Sequence, residues 1–228
     1  MRIATASNAR FVAEALAKDF EQQTGQPCEV IPGSSGKLYA QIKEGAPFQL
    51  FVAADLDYPQ GLYDAGLTLG PPVEYARGQL AVWAANDSSL CAVDSLASIR
   101  VQRWAMANPE VAPYGRATRA ALQAHPKWDK LKTKVVFAEN IAQVGQLVSL
   151  QSVDVGITAL SLIQGAPQPV RGFWRPHPPA LYPPIRQGVV VLRGSTPELE
   201  KAALDFQRFL LAPENDSLFQ QMGYLRQG

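Results

Sequence analysis

The stretch Gly33-Ser34-Ser35-Gly36 sets two hydroxyls in a glycine-flanked loop. An extended run, Cys28 to Ile31 and then Pro32, leads into it, and a helical pattern, Lys37 to Ile42, leads out. A helix start leaves backbone N–H groups without partners. Glycine lets that backbone come close to a bound group, and the serines add donors, so the loop has the chemistry of an anion site. It also has the composition of an ordinary N-cap, and the stretch alone fits both. The arrangement recurs, however. Ser7-Asn8, Ser34-Ser35, Tyr114-Gly115 and Asn140-Ile141 all fall where a strand pattern gives way to a helix pattern. Every donor they offer is neutral. Such a set suits a fully ionised oxyanion and disfavours a protonated one, which needs an acceptor for its proton. Glu110 and Glu139 stand near two of the junctions and would spoil such a cage if they turned inward. Lys37 and Arg116, in first helical turns, are expected on the solvent side.

Other chemistries find little support. Gly33 to Lys37 is not a P-loop, because Ile31 stands where the first glycine is required. No Gly-x-Ser-x-Gly surrounds Ser34 or Ser35, so there is no nucleophile elbow. The two histidines, His125 beside Pro126 and His177 among prolines, read as solvated surface groups. Cys28 and Cys91 have no metal-ligand spacing and read as buried free thiols. The rival from another class is a serine-dependent hydrolase or transferase acting on a phosphorylated or acyl substrate at Ser34 or Ser35.

At 228 residues the chain is long enough for one large core or two medium lobes. A net charge of +1 and the absence of a basic stripe give no steering towards nucleic acid. The apolar runs are too short to span a bilayer. The chain opens directly on a strand, which fits a cytoplasmic protein or one whose leader has been removed.

The elements that must position the four junctions alternate in type. Strands are expected at 2–6, 29–31, 50–54, 79–84, 103–107, 134–138, 153–157 and 188–192. Helices are expected from Phe11 to Thr24, to Glu44 after the serine loop, over 58–65, 94–99, 114–124, 141–150, 159–164 and 197–211, and from Asn215 to Met222. Residues 166–184 are proline-rich and read as a surface loop. The alternation predicts an α/β fold with mostly parallel sheet. Gln79–Ala84 and Gly188–Leu192 flank a self-contained segment, which predicts two lobes: 1–78 plus 188–228, and 79–187. A ligand cleft between such lobes would gather the carboxyl ends of their strands.

The sequence resembles the periplasmic molybdate-binding proteins of ABC importers, within the type II solute-binding fold. The residues that carry the resemblance are Ala4-Thr5-Ala6-Ser7-Asn8, Gly33 to Leu38 with Gln41-Ile42, and Gly45-Ala46-Pro47 leading to Phe51 to Asp55. Asn108 to Gly115, Asp154-Val155-Gly156-Ile157 and Met222-Gly223-Tyr224 extend it over the whole chain. The resemblance implies a non-enzymatic, monomeric receptor in the periplasm that binds molybdate or tungstate through its oxygens and hands it to a membrane permease. It needs no cofactor and no metal cation. Carried over, it makes Ser7 and Ser35 hydroxyl donors, Asn8 an amide donor, Ser34 an adjacent support, and Tyr114 and Ile141 backbone N–H donors. Ala159 stands where some members have a ligand-contacting tyrosine, and Asn8 is expected to compensate. Ser35→Ala is expected to weaken oxyanion binding while leaving the stability of the ligand-free protein unchanged.

Overall fold

The computed structural model describes residues 1–123 and 125–226; Ala124, the expected end of the helix after Tyr114, lies outside the described residues. Its strands are β1 (Arg2–Ala6), β2 (Glu29–Gly33), β3 (Leu50–Ala53), β4 (Val73–Gly78), β5 (Leu80–Ala84), β6 (Trp104–Ala107), β7 (Val135–Ala138), β8 (Val155–Ala159), β9 (Phe173–Pro176) and β10 (Ile185–Val191). Its helices are α1 (Arg10–Thr24), α2 (Ser35–Lys43), α3 (Asp57–Asp64), α4 (Pro113–Gln123), α5 (Trp128–Leu131), α6 (Ile141–Ser149), α7 (Leu160–Gln164), α8 (Pro197–Leu211) and α9 (Asp216–Gln221). The segment expected as a helix over 94–99 is a 3-10 turn, Val93–Ala97.

Two five-stranded sheets form, ordered β2-β1-β3-β10-β4 and β7-β6-β8-β5-β9. The α/β class holds, but the sheets are mixed. β1 runs parallel to β2 and β3, and β6 runs parallel to β7 and β8. β10 and β5 are antiparallel to both of their neighbours. These are the strands by which the chain returns to the first sheet and enters the second. Apolar runs report burial, which parallel and antiparallel strands share, so strand direction was not visible in them.

Burial follows the pleat. Ile3, Leu50, Val52, Val189 and Val191 pack on one face of the first sheet with α1 and α8, through Leu16, Phe20 and Phe206. Ala4, Phe51, Ala53 and Val190 pack on the other face with Leu38 and Ile42 of α2. Alternate residues of one strand thus serve opposite layers, and Leu50–Ala53 is buried throughout.

The proline-rich stretch departs from the expectation. Phe173–Pro176 is a strand, paired antiparallel to β5 at the margin of the second sheet. An edge position tolerates proline because one side of the strand needs no ladder donor. The histidines depart from the expectation as well. His177 is only 8% exposed and stacks on Tyr182. His125 accepts from the Lys127 N–H and lies 3.1 Å from Asp94. Neither is the solvated surface group expected.

The parallel pairs set the junctions side by side. Ala6 is in register with Gly33, and Ala107 with Ala138, so each pair of strands ends level just before its helix. α4 packs tightly on the end of β6: a Cβ at Gly115 would run into the Ala107 carbonyl oxygen. Gly115→Ala should therefore lower stability by about 1–3 kcal/mol, the usual cost of overpacking. Urea unfolding tests this, and a midpoint equal to wild type would show that α4 shifts freely.

Candidate functional site

All six residues singled out above, Ser7, Asn8, Ser34, Ser35, Tyr114 and Ile141, line one cavity together with Ala6, Gly33, Ala54, Ala112, Pro113 and Asn140. No acidic or basic side chain is among these residues. The cavity is about 10 Å³, room for roughly one water molecule, so a tetrahedral anion enters only if the walls part.

Each donor depends on its local partners. Ser35 Oγ accepts from the Ala54 N–H at 3.0 Å, which fills an acceptor position and leaves its proton free to donate. Ser34 Oγ is buried and has no partner. Ser7 Oγ donates to the Gly33 carbonyl at 2.9 Å, so its one proton is committed. Of the serines, the one expected as mere support is therefore the least encumbered. Tyr114 is the second residue of α4 and Ile141 the first of α6. Their N–H groups fall outside the helical ladders, at the positive ends of the helix dipoles. Asn140 caps α6 by accepting from Ala142 and Gln143, which turns its side chain to the helix.

Asn8 is engaged elsewhere. Gln187 Nε2 donates to the Ala54 and Ile185 carbonyls, so its Oε1 faces Asn8 and accepts from Asn8 Nδ2 at 2.8 Å. The same Nδ2 lies 3.0 Å from Tyr224 Oη and 3.4 Å from Tyr114 Oη. The Asn8 carbonyl accepts from Ser161 and Tyr224. All these groups are buried, and Asn8 Oδ1 has no partner. The expected amide donation to a ligand thus gives way to a network beneath the cavity that joins the 3-10 turn Ser7–Ala9, α4, α7, β10 and the C-terminal segment. Burial holds the Tyr114 and Tyr224 phenols well above their usual range. Gln187 and Tyr224 were missed as contributors. A glutamine immediately before the apolar run Gly188–Leu192 was the available signal, because an amide drawn into a buried strand demands partners.

The charged neighbours turn away. Glu110 pairs with Arg119, and Glu139 pairs with Lys37 at 2.6 Å. Arg116 does not face solvent alone but binds the Asp55 carboxylate. Asp55 also accepts from the Tyr58 N–H in the first turn of α3, at 3.2 Å. Burial raises the Asp55 pKa from 3.8 to about 6, only partly offset by Arg116 and the Tyr58 N–H. Cys28 and Cys91 are free thiols. Among the described residues no cluster of His, Cys, Asp and Glu could hold a metal ion.

Residues 1–225 match the bacterial extracellular solute-binding protein family. The chain belongs to that family. This solute-binding protein is 30% identical over 224 residues to the molybdate-binding protein ModA of Rhodobacter capsulatus, covering 97% of this chain and 86% of that one. It is 31% identical over 230 residues to ModA of Azotobacter vinelandii, covering 98% and 89%. The solved structure of the Azotobacter vinelandii periplasmic molybdate-binding protein superposes with a TM-score of 0.91 at 30% identity, covering both chains fully.

The geometry revises the serine test. In this solute-binding protein Ser35→Ala would strand the buried Ala54 N–H as well as remove a donor, so stability and affinity should both fall. Ser34→Ala strands nothing. It should leave the ligand-free melting temperature in place and cut oxyanion affinity about ten- to hundred-fold, the worth of a hydrogen bond to a charged group. Calorimetry and thermal melts on both variants check this; unchanged affinity in Ser34→Ala would remove Ser34 from the site.

Asp55 predicts a pH effect. Its folded pKa lies above its ordinary value, so ionising it costs stability. Its contribution is most favourable below 3.8 and is lost as pH rises through about 6. Asp55→Asn should therefore gain stability relative to wild type between about pH 4 and pH 7. Urea midpoints of both proteins across that range measure it, and a constant difference would refute the assignment.

Proposed function

We propose that this protein captures molybdate or tungstate in the cavity between α2, α4 and α6 and delivers it to the permease of an ABC importer. The observation that carries the reading is the lining: hydroxyls and helix-start N–H groups from two sheets, with no carboxylate to repel a dianion and no charged side chain against it. The likeness to proteins named for molybdate binding supports the choice of anion. The role is binding rather than catalysis. A serine enzyme needs a base beside its nucleophile, and no His, Asp, Glu, Lys or Cys lines the cavity with Ser34 and Ser35; the Tyr114 phenol there is held protonated by burial.

The two sheets fit two lobes, residues 1–78 with 188–228 and residues 79–187, the boundaries softened by β10, which starts at Ile185. The six residues serve as the ligand set: Ser34 and Ser35 by their hydroxyls, Tyr114 and Ile141 by their N–H groups, Ser7 by holding the Gly33 carbonyl and Asn8 through the network beneath rather than by its amide. The protein works as a monomer in the periplasm, after removal of any leader. A cage of donors alone separates ions by protonation and size, so it should hold molybdate and tungstate almost equally. Calorimetry near neutral pH should give tight binding of both, and far weaker binding of phosphate, which is partly protonated there and finds no acceptor. Sulfate or phosphate binding more tightly than molybdate would overturn the reading.

A further inference from the structure

We propose that Asp55 and Arg116 form a clamp that holds the two walls of the oxyanion cavity at one spacing and sets how slowly the bound anion leaves. The proposal rests on the oxyanion-binding reading above.

Neither residue lines the oxyanion cavity. Both line a neighbouring cavity of about 360 Å³ that shares Ala54 and Pro113 with it. Each stands next to a donor. Asp55 follows Ala54, whose N–H orients the Ser35 hydroxyl. Arg116 lies two residues after Tyr114, whose N–H opens α4. The Arg116–Asp55 ion pair thus ties the Ser35 side of the cavity to the Tyr114 side. The guanidinium is also fixed laterally, lying 5.3 Å from the centre of the Tyr58 ring.

Two other contacts cross at the same place. The Gly36 N–H donates to the Val111 carbonyl at 3.0 Å. Lys37 meets Glu139, but both side chains are about half exposed, where an ion pair contributes little. The Asp55 carboxylate is far more enclosed, with its side chain 13% exposed against 34% for Arg116. Burying it does not stabilise the fold, since burial outweighs the attraction of Arg116. A buried pair of that kind acts through geometry rather than through net stability. Because the cavity admits an anion only when its walls part, a contact spanning those walls bears on escape.

The test is stopped-flow measurement of molybdate binding and release on the full chain, wild type beside Asp55→Asn, Arg116→Gln and the double variant. Each single variant should release the anion roughly tenfold faster or more, and association, which needs the same parting of the walls, should be no slower than in wild type. The double variant should be no worse than the worse single one, because the two residues act as one unit. Ligand-free Asp55→Asn should melt at or above the wild-type temperature. Wild-type release rates in a folded Asp55→Asn would overturn the clamp, as would multiplicative effects in the double variant. A lowered melting temperature with unchanged release would show a merely structural pair. If Arg116→Gln fails to fold, Asp55→Asn decides alone. If the wild type binds neither molybdate nor tungstate in calorimetry, the oxyanion reading fails and the clamp with it, an outcome distinct from tight binding with unaltered release.

Discussion

An anion held without a cation needs many partial positive charges at one point, and in this chain the backbone N–H groups that can supply them stand where helices begin. That constraint governs the rest of this structure. Helix starts gather in number where parallel strands end level, so β1 must pair with β2 and β6 with β7 in the registers seen. Each loop must be short and small to let its helix begin at once, which is why Ser34 leads straight into α2 and Asn140 into α6. Gly115 extends the same demand into packing, because any side chain there would push α4 off the strand that positions it.

Beneath the donors lies a second requirement. Neutral donors discriminate only if they are fixed, and the network around Asn8, Gln187, Tyr114 and Tyr224 fixes them without adding charge. Its members come from opposite ends of the chain, up to 216 residues apart. One orphaned oxygen, Asn8 Oδ1, remains within it. Leaving a buried acceptor unpaired costs about 1–3 kcal/mol, a cost borne next to the site rather than in the remote core.

Much of this was legible in the sequence, and the limits have a physical cause. The strand-to-helix junctions announce themselves locally, through Ser, Asn and Gly at helix starts, so the positions of the cavity residues followed from neighbours in sequence. The state of each hydroxyl did not. Ser7 and Ser35 look alike in sequence, yet one proton is spent on Gly33 and the other is freed by Ala54, 19 residues away. Such partners are set by tertiary packing. Strand direction was hidden for a related reason, since β5 and the second half of β10 are as apolar as β3 and β6, which pair in parallel with β1 and β8. The prolines before Ile185 hid β9, because their signal excludes a sheet interior but not its margin.

The placement of β9 bears on how this chain behaves among its own copies. β5 is buried along its whole length, Leu80 to Ala84, and such a strand left bare at a sheet margin is a template for intermolecular pairing. β9 occupies that margin with only four residues, one of them Arg175 and the last Pro176. Its outer side offers a short, charged and proline-ended ladder that a stray strand extends poorly. The stretch that looks like a mere connector in sequence thus covers β5, and its arginine and closing proline limit how far another strand could pair along it.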